Sequence, residues 1–302
     1  MTDKNNFEVI IIGGSYSGLS AGMTLGRSLR NTLIIDSNLS CNRQTPHSHN
    51  FITQDGKTPK EISSLAKEQV LKYDKVKFHD GLAVSGRKTT DGFEITTLAG
   101  EIFTAKKLLF VTGIKDIMPN IPGFADCWGI SVIHCPYCHG YEYTGEKTGI
   151  LANGETAFEL GKLISNWTSS ITIYTNGKST LTPEQTAKLN KHQIEIIETE
   201  IEHFEHNAGN IQNIVFKDSS KVEITAVYVR PTFTQHCDIP VQLGCELTEQ
   251  GYIKVDNMQK TSIVGIFASG DNTTPMRSVS NAVATGTFAG AVINKELIEE
   301  TF

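Results

Sequence analysis

Two segments of the chain follow the same order of strand, turn, helix and second strand. In the first segment Gly13 and Asp36 are 23 residues apart, and in the second segment Ala152 and Thr175 have the same separation. In each, a β-branched run precedes the turn and apolar residues at helical spacing follow it. Strands that alternate with helices in this way are typical of parallel sheets. The repeat therefore predicts an α/β fold with two Rossmann-like βαβ units.

The first repeat carries the turn Gly13-x-Ser15-x-x-Gly18. Gly13 permits a tight turn, Gly18 lets the helix pack close to the strand, and Ser15 is small enough for a phosphate to approach. The first amides of the helix would bind a pyrophosphate, and Asp36 would accept a hydrogen bond from a ribose hydroxyl. This context predicts a dinucleotide site. A glycine-rich turn without a ligand is the alternative.

A second candidate region lies near the end of the chain, where the predicted strand 265–268 runs into Gly270 and Asp271. Ligands bind at the carboxyl ends of strands in open α/β sheets, so Asp271 would hold a polyol hydroxyl such as those of the ribityl chain of FAD. The N-terminal amides of the final helix suit the electron-rich edge of an isoalloxazine ring. These features favour FAD over NAD. The candidate FAD-binding residues are Gly13, Ser15, Gly18, Asp36, Ser37, Arg43, Thr112, Gly113, Gly270, Asp271, Arg277, Ser278 and Val279.

Cys135 and Cys138 have the spacing of a redox-active disulfide. Two cysteines three positions apart can close a small ring, and a helix beginning at Pro136 would stabilise the Cys135 thiolate through its first amides. His139, and less favourably His134, would manage the proton of the leaving thiol. Cysteines beside histidines also occur in zinc sites, although no second ligand pair at suitable spacing completes such a site here. An inert buried pair is a further alternative.

Composition excludes several classes of protein. The 302 residues carry a formal net charge of −6 without a long run of Lys or Arg, which gives no support to nucleic-acid binding. The apolar run 9–12 is too short for a signal peptide, and no stretch approaches the roughly 18 apolar residues of a membrane span. We therefore expect a cytoplasmic protein with no membrane partner. In that reducing compartment we expect the remaining cysteines to be small buried side chains, at positions 41, 127, 237 and 245.

The chain resembles the low-molecular-weight thioredoxin reductase family over essentially its whole length. The motifs that carry the resemblance are the Gly13 turn, Thr112-Gly113, the Cys135–Cys138 pair and Gly270-Asp271. The resemblance implies a homodimer in which residues 1–115 and 240–302 form an FAD-binding domain and residues 116–239 form a central nicotinamide-type domain that carries the cysteines. It also implies that Cys138 faces the flavin and that Cys135 exchanges with the substrate.

Two details are more similar to one branch of that family, the gliotoxin- and holomycin-type dithiol oxidases. Those enzymes oxidise small dithiols and pass the electrons to oxygen. First, His139 follows the second cysteine, where thioredoxin reductases usually have Asp. Second, the motifs shared with this branch are Cys-Pro-Tyr-Cys-His-Gly-Tyr-Glu at 135–142, Asn42-Arg43, His49-Asn50 and Asp55-Gly56.

The central repeat lacks the usual determinants of a nicotinamide nucleotide. Its turn, residues 152–154, has lost the first glycine, and its second strand ends at Thr175 and Asn176 without an acid for the ribose of NADH. Lys178 stands alone where thioredoxin reductases present an arginine cluster for the 2′-phosphate of NADPH. NADPH is therefore doubtful as a cofactor, and a scaffold that binds no nicotinamide is favoured.

Together, the motifs and the resemblance predict an FAD-dependent thiol–disulfide oxidoreductase. Its substrate would be a small dithiol or disulfide, or a thioredoxin-like protein. We expect oxidation of a dithiol with oxygen as the electron acceptor. Two other routes stay open, namely reduction of thioredoxin by NADPH and reduction by another donor such as ferredoxin. A non-catalytic flavin redox sensor is the alternative from a different class.

Overall fold

The computed structural model describes residues 5–302 and divides the chain into two compact units. The first unit consists of residues 5–43, 51–115 and 233–302, and the second of residues 44–50 and 116–232. The division differs from the expected one at two places. Residues 233–239 lie in the first unit, and residues 44–50 lie in the second.

The elements alternate between strand and helix in both units. The strands are β1 (Asn6–Ile12), β2 (Thr32–Asp36), β3 (Val76–Asp80), β4 (Ala83–Thr89), β5 (Gly92–Thr97), β6 (Ile102–Phe110), β7 (Ile114–Asp116), β8 (Val132–Ile133), β9 (Thr148–Leu151), β10 (Ile171–Tyr174), β11 (Glu195–Ile197), β12 (Ile201–Asn207), β13 (Asn210–Phe216), β14 (Lys221–Glu223), β15 (Ala226–Val229), β16 (Phe233–Gln235) and β17 (Ile266–Ala268). The helices are α1 (Tyr16–Arg27), α2 (Pro59–Val70), α3 (Phe124–Cys127), α4 (Pro136–His139), α5 (Gly154–Ile164), α6 (Pro183–Lys191), α7 (Ile239–Gln242) and α8 (Val279–Glu299), with a 3₁₀ turn at Tyr141–Tyr143.

The first unit is built on a sheet whose strands β3, β2, β1, β6 and β17 are parallel. The first half of β6 also pairs with the antiparallel strand β5, which continues to β4. Strands β1 and β2 are apolar and buried along most of their length, as expected for parallel strands covered on both faces. Helix α8 packs closely on α1 at Gly286. A Cβ on this residue would lie 2.2 Å from the carbonyl oxygen of Ser17, so only glycine fits there.

The second unit contains a parallel sheet in the order β11, β10, β9, β15 and β8. Helix α5 covers it, and Leu160 and Ile164 of that helix join Ile150 and Ile173 in one buried cluster. A separate antiparallel sheet of β12, β13 and β14 follows. Two parallel sheets, each with a strand–helix–strand repeat, confirm the predicted α/β fold class with two Rossmann-like units.

The sequence pattern predicts a strand over 171–174 and a helix over about 279–299, and β10 and α8 have these bounds. The sequence also predicts a strand over 107–112, whereas β6 begins at Ile102 and ends at Phe110. The carbonyl of Phe110 accepts hydrogen bonds from the amide of Ser269 and the side chain of Asn272. These bonds end the ladder, and the chain turns away at Gly113, whose φ is +65°. Among residues 5–302, no helix combines the length and the apolar character needed to cross a membrane.

Candidate functional site

Helix α1 begins after β1 in a turn that brings the two backbones into close contact. Gly13 has a φ of +111°, and a Cβ on it would lie 2.5 Å from the carbonyl oxygen of Val111. A Cβ on Gly18 would lie 2.0 Å from the carbonyl oxygen of Gly13. Ser15 is the N-cap residue of α1, and its side chain makes no capping hydrogen bond with the described residues. The first turn of α1 can therefore present its amides to an anion.

The carboxylate of Asp36 lies directly against this turn. A Cβ on Gly14 would be 2.7 Å from the Asp36 carboxyl group, so a larger residue at position 14 would displace the acid. Gly14 is absent from the sequence-predicted site residues, although two consecutive glycines were a visible signal. The exposed residues Ser37 and Arg43 follow, and the Arg43 guanidinium donates to the carbonyl of Ser40 at 2.9 Å. The structure thus brings Asp36 to the turn and leaves Ser37 and Arg43 on the surface.

Two fully buried polar residues fix the turn that follows β17. The hydroxyls of Ser269 and Ser17 are hydrogen bonded at 2.7 Å, which ties this turn to α1. The side-chain amide of Asn272 donates to the carbonyl of Phe110 at 2.9 Å, which ties the turn to β6. Gly270 lies between these anchors with a φ of +84°. Sequence reasoning missed Asn272, because nothing local distinguishes it from an ordinary loop asparagine.

The remaining predicted residues of the first unit lie at the ends of β6 and β17 and at the start of α8. Asp271 and Arg277 have side chains that are 19% and 13% exposed, and their carboxylate oxygen and Nε are 4.0 Å apart. The hydroxyl of Ser278 accepts a hydrogen bond from the amide of Asn281 at 3.1 Å and so caps α8. Val279 is the first residue of that helix.

The residues of the first unit fit FAD. The Oγ1 of Thr112 and the Oδ1 of Asn272 are buried, and neither has a hydrogen-bond partner within residues 5–302. Buried polar atoms without partners are costly, and the hydroxyl and carbonyl groups of a bound cofactor would satisfy them. A Cβ on Gly113 would meet open space, which leaves room for a ligand beside the backbone. We propose that these residues hold FAD together with the Gly13 turn, Asp36 and Asp271.

The two cysteines lie at the carboxyl end of β8 in the second unit. Cys135 is the N-cap residue of the single-turn helix α4, and the sulfur atoms of Cys135 and Cys138 are 2.8 Å apart. The amide of Cys138 donates to the carbonyl of Cys135 at 3.2 Å, which closes the turn. The ring of Tyr137, between them, packs edge-on against Trp167. This geometry allows a disulfide to form and break with little movement of the backbone.

Three histidines and one carboxylate surround the end of this turn. The Nε2 of His49 lies 3.4 Å from an Oε1 of Glu142. The rings of His49 and His139 are perpendicular with centroids 6.3 Å apart, and the ring of His47 is 6.3 Å from that of His49. His134 instead packs against the ring of Trp128. From the sequence, His47 and His49 lie in an irregular loop, where a surface position and a place beside the flavin or the substrate are equally open. The structure brings the ring centroid of His49 to 6.3 Å from that of His139.

The environment of His139 favours its neutral form. Burial lowers the pKa of His139 below the ordinary value of a histidine, the Glu142 carboxylate raises it, and the nearby His49 lowers it. Since burial is the largest effect, the net direction is downward. A neutral imidazole can accept a proton near neutral pH, which is the role that the sequence predicts for His139.

The turn after β9 in the second unit is closed by its own side chains. Asn153 caps α5, and its Oδ1 accepts hydrogen bonds from the amides of Gly154 and Thr180, each at 2.8 Å. Its Nδ2 donates to the carbonyl of Lys178 at 2.9 Å. A Cβ on Gly154 would lie 2.8 Å from the hydroxyl of Thr180. The segment 178–180 therefore covers the helix start at which a nucleotide pyrophosphate would bind.

A cleft of about 390 Å³ remains beside this turn, at the carboxyl ends of β9, β10 and β15. The residues that line it are Ile117, Met118, Pro119, Ile121, Leu151, Ala152, Asn153, Thr175, Asn176, Val229, Pro231 and Thr232. None of these side chains carries a charge. The cleft thus lacks both the acid that would bind a ribose of NADH and the arginines that would bind the 2′-phosphate of NADPH.

The other cysteines differ in their surroundings. Cys127 and Cys245 are buried, and Cys237 is partly buried. Cys41 is exposed, so the expectation that it is a buried apolar side chain is wrong. It lies in a turn of the polar segment after β2, which offers no apolar cluster to join. Within residues 5–302, no group of three or more His, Cys, Asp or Glu side chains is arranged to hold a metal ion.

Comparisons with known proteins identify the relatives of this chain. The model of the pyridine nucleotide-disulphide oxidoreductase family matches residues 7–286. Thioredoxin reductase tcpT of Claviceps purpurea is 31% identical over 99% of this chain and 97% of its own length. The crystal structure of an oxidoreductase from Agrobacterium tumefaciens is 34% identical, covers 97% of this chain and 99% of its own, and superposes with a TM-score of 0.91. The crystal structure of HlmI is 26% identical, covers 99% and 95% of the two chains, and has a TM-score of 0.93.

These matches extend over nearly the whole chain, and they confirm both the predicted resemblance and FAD as the cofactor. The chain belongs to the pyridine nucleotide-disulphide oxidoreductase family, as a thioredoxin reductase-like, FAD-dependent disulfide oxidoreductase.

Proposed function

We propose that this protein oxidises a small dithiol to a disulfide and passes the electrons through Cys135 and Cys138 and FAD to oxygen. The observation that carries the proposal is the closed turn at Asn153 in the unit that holds the cysteines. An oxidoreductase that cannot take electrons from a nicotinamide at this turn needs another source. A dithiol substrate is such a source, since its oxidation releases two electrons.

The exchange at the cysteine pair needs only the substrate dithiol and the Cys135–Cys138 disulfide as reactants. A substrate thiolate attacks Cys135 of the disulfide, which forms a mixed disulfide and releases the thiolate of Cys138. The second thiol of the substrate then attacks its own sulfur in the mixed disulfide, which forms the substrate disulfide and releases Cys135. FAD supplies a two-electron acceptor for the reduced pair, and oxygen finally takes two electrons and two protons to give hydrogen peroxide.

His139 supplies the proton acceptor in this scheme. The thiolate is the reactive form of a thiol, so each attack requires removal of a proton from the substrate. The lowered pKa of His139, caused mainly by burial, keeps the imidazole neutral and able to accept that proton near neutral pH. A positioned general base of this kind typically contributes about 10²- to 10⁴-fold to a rate.

The bonds of Asn153 make nicotinamide binding unfavourable. To free the amides at the start of α5, a nucleotide would displace the hydrogen bonds that link Asn153 to Gly154, Lys178 and Thr180. Each is worth about 1 kcal/mol net, so their loss would weaken binding by roughly a hundredfold. The uncharged lining of the cleft offers no ion pair in return.

A homodimer, which the family resemblance implies, is also part of this proposal.

Oxygen consumption tests the proposal. We expect purified holoprotein to consume oxygen when dithiothreitol is added as a probe dithiol and to form one hydrogen peroxide per dithiol oxidised. Catalase should therefore return half of the oxygen consumed. A mixture without protein corrects for oxidation in air, and the Cys41→Ser variant should behave like the parent protein, because Cys41 lies on the surface of the first unit.

Two results would contradict the proposal. If NADPH or reduced ferredoxin drives disulfide reduction while dithiothreitol drives no oxygen uptake, the protein is a reductase. If one equivalent of dithiol reduces the flavin but no turnover follows, the protein is a redox sensor.

A further inference from the structure

Two ionisable side chains next to His139 have no role in the scheme above. The Nε2 of His49 is 3.4 Å from an Oε1 of Glu142, and its ring centroid is 6.3 Å from that of His139. The side chains of His49 and Glu142 are 22% and 37% exposed, so they are only partly shielded by the protein. The three groups form a cluster beside the redox turn.

Local structure holds His139 and Glu142 on the same side of the chain. They are three residues apart across α4 and the 3₁₀ turn Tyr141–Tyr143, a spacing that places side chains next to each other on a helical surface. Gly140 joins the two turns in a tight fit, since a Cβ on it would lie 2.5 Å from the carbonyl oxygen of Pro136 and 2.9 Å from the Nε1 of Trp167. The relative position of these two residues is therefore fixed by backbone packing.

His49 reaches the cluster from a distant part of the sequence. Segment 44–50 belongs to the second unit, although the chain on both sides of it belongs to the first. The side-chain amide of Gln44 donates to the carbonyl of Trp128 at 2.6 Å, and Thr45 packs beside Gly129. These contacts hold the start of segment 44–50 in place. Near the end of the segment, His49 lies beside Glu142.

We propose that His49 and Glu142 are positioning residues for His139 in the oxidation of the dithiol. Glu142 stabilises the imidazolium that forms when His139 takes the proton of the substrate thiol, whereas His49, which lies beside both groups, limits that stabilisation. The proton leaves His139 for solvent when the next thiol is exchanged. This inference rests on the proposed function, because it assigns roles around the same base.

The charges around His139 support these roles. The Glu142 carboxylate raises the pKa of His139, and the charge of His49 lowers it. The other titratable groups that face the cluster are His47, Cys135, Tyr143 and Tyr228. Burial raises the pKa of both tyrosines, which therefore stay neutral throughout the range in which histidine titrates. The charge at His139 is thus governed by the histidines and by Glu142.

Opposite effects are expected from two conservative substitutions. Glu142→Gln removes a charge that raises the pKa of His139, so the imidazole titrates at lower pH. His49→Gln removes an interaction that lowers that pKa, so the imidazole titrates at higher pH. Glu146→Gln changes another exposed carboxylate four residues further on and is the matched control.

Two measurements read out these shifts. Nuclear magnetic resonance of histidine-labelled, oxidised holoprotein gives the titration of each imidazole without any substrate, and the signal that His139→Gln removes identifies His139. The rate of flavin bleaching by dithiothreitol without oxygen, followed against pH, gives the working base. We expect Glu142→Gln to lower this rate about tenfold at neutral pH and to move its acid limb downward, whereas Glu146→Gln changes neither.

The inference is overturned if the His139 signal titrates in Glu142→Gln as it does in Glu146→Gln, or if the His49 and Glu142 variants shift it in the same direction. Should the His49 variant lose its FAD and its fold, the Glu142 variant decides alone, since it exchanges only one oxygen for an amide. Failure of the proposed function is seen separately. In that case dithiothreitol drives no steady oxygen uptake by the parent protein, while the titration of His139 still responds to Glu142.

Discussion

We expect the Cys138→Ser variant to lose dithiol-dependent oxygen consumption by at least about a thousandfold while it keeps its FAD. The two cysteines act as one unit, since neither sulfur can complete the exchange without the other. Their sulfur atoms are 2.8 Å apart in a turn closed by backbone hydrogen bonds, so serine fits without strain. The lost activity then reports chemistry and not folding. The measurement is oxygen uptake with dithiothreitol, together with the flavin absorbance of the purified variant.

Matched variants separate this effect from a general loss of thiols. Cys135→Ser should be as inactive as Cys138→Ser, and the double variant no worse than either, because removing one member of a catalytic pair already removes its function. Cys41→Ser, on an exposed loop, should keep full activity. A Cys138→Ser protein that still oxidises dithiothreitol at the parental rate would show that the cysteine pair is not the electron route.

The second large effect is expected from Gly18→Ala, which should bind FAD much more weakly than the parent protein. A Cβ at position 18 would lie 2.0 Å from the carbonyl oxygen of Gly13, a distance that no real contact allows. To relieve this contact, α1 must move away from the turn that carries the proposed pyrophosphate site. Such overpacking costs about 1 to 3 kcal/mol or more, so FAD affinity should fall by roughly tenfold to a hundredfold. Titration of the apoprotein with FAD, followed by flavin fluorescence, measures the change.

Ser20→Ala is the control for that substitution. Ser20 lies on the same helix two residues further on and is only partly buried, so the shorter side chain should leave FAD binding unchanged. If Gly18→Ala binds FAD as tightly as Ser20→Ala does, the start of α1 does not form part of the cofactor site.

Local sequence patterns were sufficient for the parts of the fold that depend on local periodicity. Helix α8 has its predicted bounds, because Ser278 caps its first turn and small apolar residues continue for the length of the helix. Strand β10 is a short apolar run bounded by polar residues, and its bounds were also predicted. The Gly13 turn was recognised because its glycines are required by steric contacts that recur in dinucleotide sites.

Features that depend on distant contacts could not be read in the same way. Nothing in the composition of segment 44–50 indicates that it joins the second unit, so the meeting of His49 with Glu142 was not foreseen. The bonds between Asn153 and Thr180 join residues that are far apart in the chain, and only the loss of a glycine hinted at them. Asn272 was missed for the same reason, since its partner is the carbonyl of Phe110 in another strand.

We propose that this chain does not bind a nicotinamide nucleotide and that a dithiol supplies its electrons instead. Asn153 and the segment 178–180 occupy the place of a pyrophosphate, and the cleft beside them has no charged side chain. The cysteine pair and its histidine cluster meanwhile keep every group that thiol exchange requires. We therefore expect the dithiol substrate, and not a nicotinamide nucleotide, to reduce the protein.

An anaerobic titration of the oxidised holoprotein tests that claim most directly. NADPH and dithiothreitol are added to separate samples while the long-wavelength flavin absorbance is followed. We expect dithiothreitol to bleach the flavin at near-stoichiometric amounts, with colour returning on admission of air, and we expect NADPH to leave the spectrum unchanged. Prompt bleaching by one equivalent of NADPH would contradict the account, since it would show that the turn at Asn153 opens to a nicotinamide nucleotide.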